Sequence, residues 1–152
     1  MTKFLLAVHV LAAIVAIGPV TVAAGMFPPA ARRAIEAPDD VRAAETVQLL
    51  HRICRVYAVV GVAVPAFGFA TASNMHVLGS AWLITSIVLT ALAAVVLAAL
   101  VLPRQSALVE AGASGGTRRM TVRLAMFTGV FNLLWAVVTV LMIVRPGSTT
   151  GA

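Results

Sequence analysis

Apolar residues run through this chain in long unbroken blocks, and charged positions gather between them. No Asp, Glu, Lys or Arg occurs between Lys3 and Arg32, between Arg55 and Arg104, or between Arg123 and Arg145. The hydrocarbon core of a bilayer is roughly 30 Å thick and takes about 20 helical residues. The first and last blocks each fit one crossing. The middle block fits two, with the polar stretch SNMHVLGS (Ser73 to Ser80) as the turn between them. The pattern predicts an all-α, four-helix transmembrane bundle, with crossings at about 4–27, 56–72, 81–102 and 124–144 of a single domain covering 1–152. Strands are excluded because the blocks lack period-two alternation, and an open sheet edge in lipid would leave backbone groups unpaired.

The connections carry their own signals. In FPPAARRAIEAPDD, Pro38 interrupts the chain, and Asp39 or Asp40 is placed to cap a helix starting at about Val41. Along that helix Val47, Leu50 and Cys54 keep an apolar stripe, while Arg42, Glu45, Arg52 and Arg55 fall where they reach water. It is predicted to run directly into the second crossing. The stretch VEAGASGGT before Arg118 is rich in Gly and Ser without periodicity, which predicts a flexible loop. The tail RPGSTTGA is expected to fray.

Composition agrees with a lipid solvent. With 61% hydrophobic and 11% charged residues, the chain has more apolar surface than one small soluble core can bury. The lipid bilayer is the expected partner and the cell membrane the expected location, as a multi-pass protein. The net charge of +6 is unevenly placed: nine arginines lie in the two connections after the first and third crossings, against Lys3 and Arg145 on the opposite side. By the positive-inside rule both basic connections are cytoplasmic and both termini lie on the extracytoplasmic side. Attraction to anionic headgroups follows from the same charges. Nucleic acid is not an expected partner, since no basic stripe with interleaved aromatics occurs.

The first block also has features of a signal peptide, with one positive charge, an apolar run and VAA ending at Ala24. Its run is longer than a usual signal core, contains His9 and Gly18-Pro19, and is followed by Arg32 and Arg33, which predicts a retained helix. Cys54 is the single cysteine, so the chain makes no internal disulfide.

Helices in lipid associate through close packing. GVAVPAFGFA in the second crossing and ALAAVVLAA in the third supply small faces for it. These faces predict a compact bundle that forms a homo-oligomer or joins other membrane subunits. Pro19 and Pro65 are expected to bend their helices.

Polar groups at membrane depth point to function. They are His9, Thr21, Thr71, Thr85, Ser86, Thr90, Thr128, Asn132 and Thr139. The hydroxyls are expected to bond back to their own helices, whereas Asn132 needs a partner on another. His9 falls about 8 Å along its helix from the outer end, and Met75 and His76 sit in the turn on that same side. His51 falls at the opposite edge, so His9 and His51 do not share one haem. An imidazole pair, or an imidazole with a thioether, suits Cu(I) or haem iron. His9, Met75 and His76 are thus the candidate metal set, and His9 with His76 the candidate haem b ligands. The favoured reading of His9 itself is a neutral, hydrogen-bonded packing residue. No Asp or Glu occurs in any crossing, and neither a Ser-His-Asp nor an HExxH arrangement is present. No catalytic residue is assigned, and the expectation is a non-enzymatic protein.

The segments AVHVLAAIVAIGPVTVAAGMFPPAARRA and LLHRICRVYAVVGVAVPAFGFA resemble the small membrane proteins of the family called domain of unknown function 2269. That family is similar to the copper-resistance D type membrane proteins and the HemJ-type protoporphyrinogen oxidases. The shared pattern is an early histidine, here His9, then arginine, apolar run, proline and glycine, here Arg52 or Arg55, Pro65 and Gly68. The resemblance implies a four-helix membrane unit in which His9 is the carried-over haem or metal ligand. It departs from the oxidase pattern after Trp82, where Thr85 and Ser86 follow and the oxidases have a lysine.

Overall fold

The computed structural model describes residues 1–147, and every element among them is helical. In chain order these are α1 (Thr2–Glu36), α2 (Val41–Val60), α3 (Ala63–Asn74), α4 (Ala81–Val95), a π-helical turn (Val96–Val101), α5 (Leu102–Gly115) and α6 (Arg118–Val144). They join into four long helices, Thr2–Glu36, Val41–Asn74, Ala81–Gly115 and Arg118–Val144, each long and apolar enough to cross a membrane. The part of the tail from 148 onward, expected to fray, lies outside the described residues.

Side-chain contacts make successive long helices antiparallel. His9 near the start of α1 meets Val64 in α3, His51 in α2 meets Gln105 in α5, and the Arg145 guanidinium after α6 lies 5.8 Å from the Trp82 ring centroid at the start of α4. The bundle has a termini end, with Met1, the 75–80 turn and Arg145. Its connection end holds the 37–40 and 116–117 turns.

Each long helix overruns its predicted crossing. α1 continues past Phe27 through Pro28 and Pro29 to Glu36, although proline removes a donor, crowds the carbonyl four residues back and biases its predecessor away from helix. Packing outweighs those costs. Phe27, Ala31 and Ala34 recur at helical spacing and are buried in one cluster with Val47, Leu50 and Cys54 of α2. Asp40 makes the expected cap, its carboxylate accepting from the Arg42 and Ala43 amides at 3.0 and 3.3 Å.

Two prolines shape the long helices differently. Pro65 leaves the Gly61 carbonyl without its usual donor, and the Val64 amide takes that carbonyl instead at 3.1 Å. The ladder tightens at Gly61–Val62 and divides α2 from α3. Pro103 lies just beyond the π-helical turn, where the Leu102 amide reaches the Leu97 carbonyl five residues back. Widening the ladder by one residue relieves the clash that a proline ring imposes on the preceding turn.

The 109–117 stretch is mostly helical, contrary to the loop expected there. α5 runs to Gly115 and departs from helical geometry at Gly112, whose φ of +62 suits a residue without Cβ. Tertiary contact overrides the weak local propensity. Leu108 is buried in the core cluster, and a Cβ on Gly116 would lie 2.9 Å from the Ile35 side chain of α1.

The core is concentrated toward the connection end. Val20, Ala24, Phe27, Leu50, Cys54, Val101, Leu124 and Phe131 belong to one continuous cluster, while a separate small cluster of Ala72, Trp82 and Leu83 closes the termini end. Trp82 is buried there.

Candidate functional site

Two polar clusters lie inside the bundle, one toward each end. At the termini end His9 is buried, and its Nδ1 lies 3.0 Å from the Val64 carbonyl. A carbonyl only accepts, so Nδ1 carries the proton and Nε2 keeps its lone pair. Gly68, one turn beyond Val64, makes room for the ring: a Cβ there would sit 2.9 Å from His9 Cε1 and 3.2 Å from Nδ1. Gly68, paired with His9 by sequence pattern alone, thus borders the imidazole, while Pro65 is exposed.

Met75 and His76 occupy the end of α3 in another role. The Val77 amide bonds the Ala72 carbonyl at 3.3 Å and the His76 amide bonds the Ser73 carbonyl at 3.2 Å. With His76 at φ 55, this is a Schellman close in which His76 takes the left-handed position usually given to glycine. The His76 side chain is exposed and Met75 is half-buried. Gly68, against which His9 packs, precedes His76 by eight residues, about 12 Å at 1.5 Å per residue. The structure brings His9 to Val64 and Gly68, with Met75 and His76 about two turns farther along. Among the described residues, no three or more His, Cys, Asp or Glu gather so as to hold a metal ion.

The second cluster lies toward the connection end, and sequence reasoning did not find it. His51 Nδ1 is 3.1 Å from Gln105 Oε1, Ser106 Oγ is 3.2 Å from His51 Nε2, and Gln105 Nε2 donates to Cys54 Sγ at 3.5 Å. The amide oxygen accepts from Nδ1, so Nε2 accepts from the Ser106 hydroxyl. The bonds form a directed chain, Ser106 to His51 to Gln105 to Cys54. Gln105 and Cys54 are fully buried, and Phe27 meets the imidazole edge-on with centroids 6.4 Å apart. The available signal was the three-residue spacing of His51 and Cys54, which puts both on one face of α2.

Beside this chain an open groove of ≈590 Å³ runs along α2, lined by Gln48, His51, Arg52, Arg55, Val56 and Val59, with Val109 of α5 opposite. Arg104 is committed elsewhere, bonding the Leu100 carbonyl at 2.9 Å and stacking 4.3 Å over the Phe127 ring.

Other polar groups divide as follows. Thr71, Thr85, Ser86, Thr90 and Thr139 bond back to carbonyls of their own helices, as expected. Thr128 Oγ1 and Asn132 Oδ1, one turn apart on α6, are buried without a partner among the described residues, so the interhelical bond expected of Asn132 is not made by its Oδ1 there.

The class this fold defines is an all-helical bundle with four helices of membrane-spanning length and apolarity. No protein-family model, curated protein or solved structure matches the chain.

Proposed function

We propose that the chain is a multi-pass protein of the cell membrane, non-enzymatic, that works by assembling with itself as a homo-oligomer. The arginine-rich connections lie in the cytoplasm and both termini outside. The observation that carries this reading is the uneven cover of the long helices. The most apolar window of Val41–Asn74 is 11% buried within the chain, against 28% for Ala81–Gly115. The uncovered flank includes Ala66, Phe67 and Phe69, small and aromatic residues that suit contact with another helix. The test is cross-linking through Phe69→Cys in a Cys54→Ser background in native membranes, beside mass measurement in detergent. A cross-linked dimer or higher form is expected. A monomer in membranes and in detergent would overturn the assembly, leaving an accessory-subunit role to be sought by co-purification.

A second reading is a haem b or copper-binding protein with His9 as ligand, and one observation favours it. Metal-ligating imidazoles usually donate their other ring N–H to a carbonyl or carboxylate, and His9 donates Nδ1–H to Val64 while Nε2 stays free to ligate. The donor set fits a single axial ligand, since Met75 and His76 stand farther along the helix. Absorbance and metal analysis of purified protein beside His9→Ala decide it. A pigment or copper lost in the variant supports ligation, and a colourless, metal-free wild type retires it.

A further inference from the structure

The groove along α2 is divided by chemistry. Gln48, His51, Arg52 and Arg55, with Val109 of α5, line one part, and Val56 and Val59 continue the α2 wall on the next turns. Arg52 and Arg55 are three residues apart, neighbours on one helix face, and both are exposed. Of the chain's five acidic residues none is in the lining. His51 contributes a wall and no free nitrogen, since Nδ1 is held by Gln105 and Nε2 by Ser106. Two guanidiniums in the groove thus face outward with no carboxylate lining beside them.

Position selects the partner. Arg55 is the last charged residue before Arg104, so the groove straddles the line where the charge-free stretch begins. A soluble anion gains nothing from Val56 and Val59, and a zwitterionic lipid offers the arginines no net charge. A phosphodiester with acyl chains attached uses both parts. Its oxygens accept the forked N–H donors of arginine, and the first methylenes of its chains lie along the valines.

We propose that this groove is a binding site for one anionic phospholipid, with the headgroup phosphate on Arg52 and Arg55 and the acyl chains along Val56 and Val59. The proposal rests on the membrane reading above. It goes beyond general attraction of basic loops to a charged surface, because it assigns the preference to two of the nine connection arginines.

The experiment is lipid retention by the full chain, extracted from membranes and exchanged into vesicles of phosphatidylcholine with or without phosphatidylglycerol. Native mass spectrometry reads the bound lipid. Wild type is expected to retain one phosphatidylglycerol in preference to phosphatidylcholine. R52Q/R55Q is expected to lose that preference by about 100-fold, from the loss of two charge-assisted hydrogen bonds to the phosphate, while R118Q/R119Q keeps it. R52K/R55K keeps the charge without the fork and falls between. Equal retention by R52Q/R55Q and wild type, or equal loss in R118Q/R119Q, would overturn the assignment. So would displacement of the lipid from wild type by inorganic phosphate alone, a result that needs no variant to fold. A chain that alkaline extraction releases from membranes refutes the membrane reading itself. One that stays inserted without preferring phosphatidylglycerol refutes only the groove.

Discussion

The two ends of the bundle are built differently. Toward the connection end, Val20, Ala24, Phe27, Cys54, Val101 and Leu124 are all fully buried in one cluster, which also encloses the hydrogen-bonded chain from Ser106 to Cys54. At the termini end, closure depends on Ala72, Trp82 and Leu83 and on one buried bond between α1 and α3, His9 to Val64. In lipid, apolar side chains gain little by leaving the solvent, so a helix pair is held by the closeness of its contacts and by its few polar bonds. The connection end has many close contacts. The termini end hangs on a few specific ones, where single substitutions act through geometry.

The strongest way to break that comparison is to weaken the packed end. Phe27→Ala removes a fully buried ring and is expected to cost about 3 kcal/mol, read by equilibrium unfolding in mixed micelles. Trp82→Ala, at the other end, is expected to cost less; the reverse order would refute the division. Next comes Gln105→Leu, which deprives both His51 Nδ1 and Cys54 of their partner and is expected to cost about 2 kcal/mol. An unchanged unfolding midpoint would show the polar chain to be incidental.

Substitutions at the termini end sharpen the contrast. Gly68→Ala drives a methyl into the His9 ring and is expected to cost about 1.5 kcal/mol. Adding His9→Ala to it should recover part of the loss, because the two act through one contact. Strict additivity would mean that the ring does not sense Gly68. The smallest expected effect is a gain. His76→Gly relieves a left-handed residue and should stabilise by about 1 kcal/mol, measured by the same unfolding. A loss there would point to a role for the imidazole beyond closing the helix.

Much of this was legible in the sequence. Pro38 followed by Asp39 and Asp40 announced a cap, which Asp40 makes, and His9 stood out as an imidazole within an apolar block. Gly68 was singled out by the resemblance before the structure placed it beside His9. Other features were hidden by local rules that tertiary packing overrode. Pro28-Pro29 reads as a stop, yet the buried ridge of Phe27, Ala31 and Ala34 carries the helix through. VEAGASGGT reads as loose chain, yet α5 continues to Gly115. Gln105 gave no local sign of being buried against His51, since its partners lie more than fifty residues away in the chain.

The spacing of charges by itself determined four membrane-length helices, because a charge deep in hydrocarbon is so costly that its absence marks the crossing. What faces what was decided only by tertiary structure. The His9–Val64 and His51–Gln105 bonds span 55 and 54 residues of sequence, and they depend on how each helix turns about its own axis. That rotation follows from how the small and large side chains of four apolar helices interlock, and nearly uniform apolar sequence leaves it open.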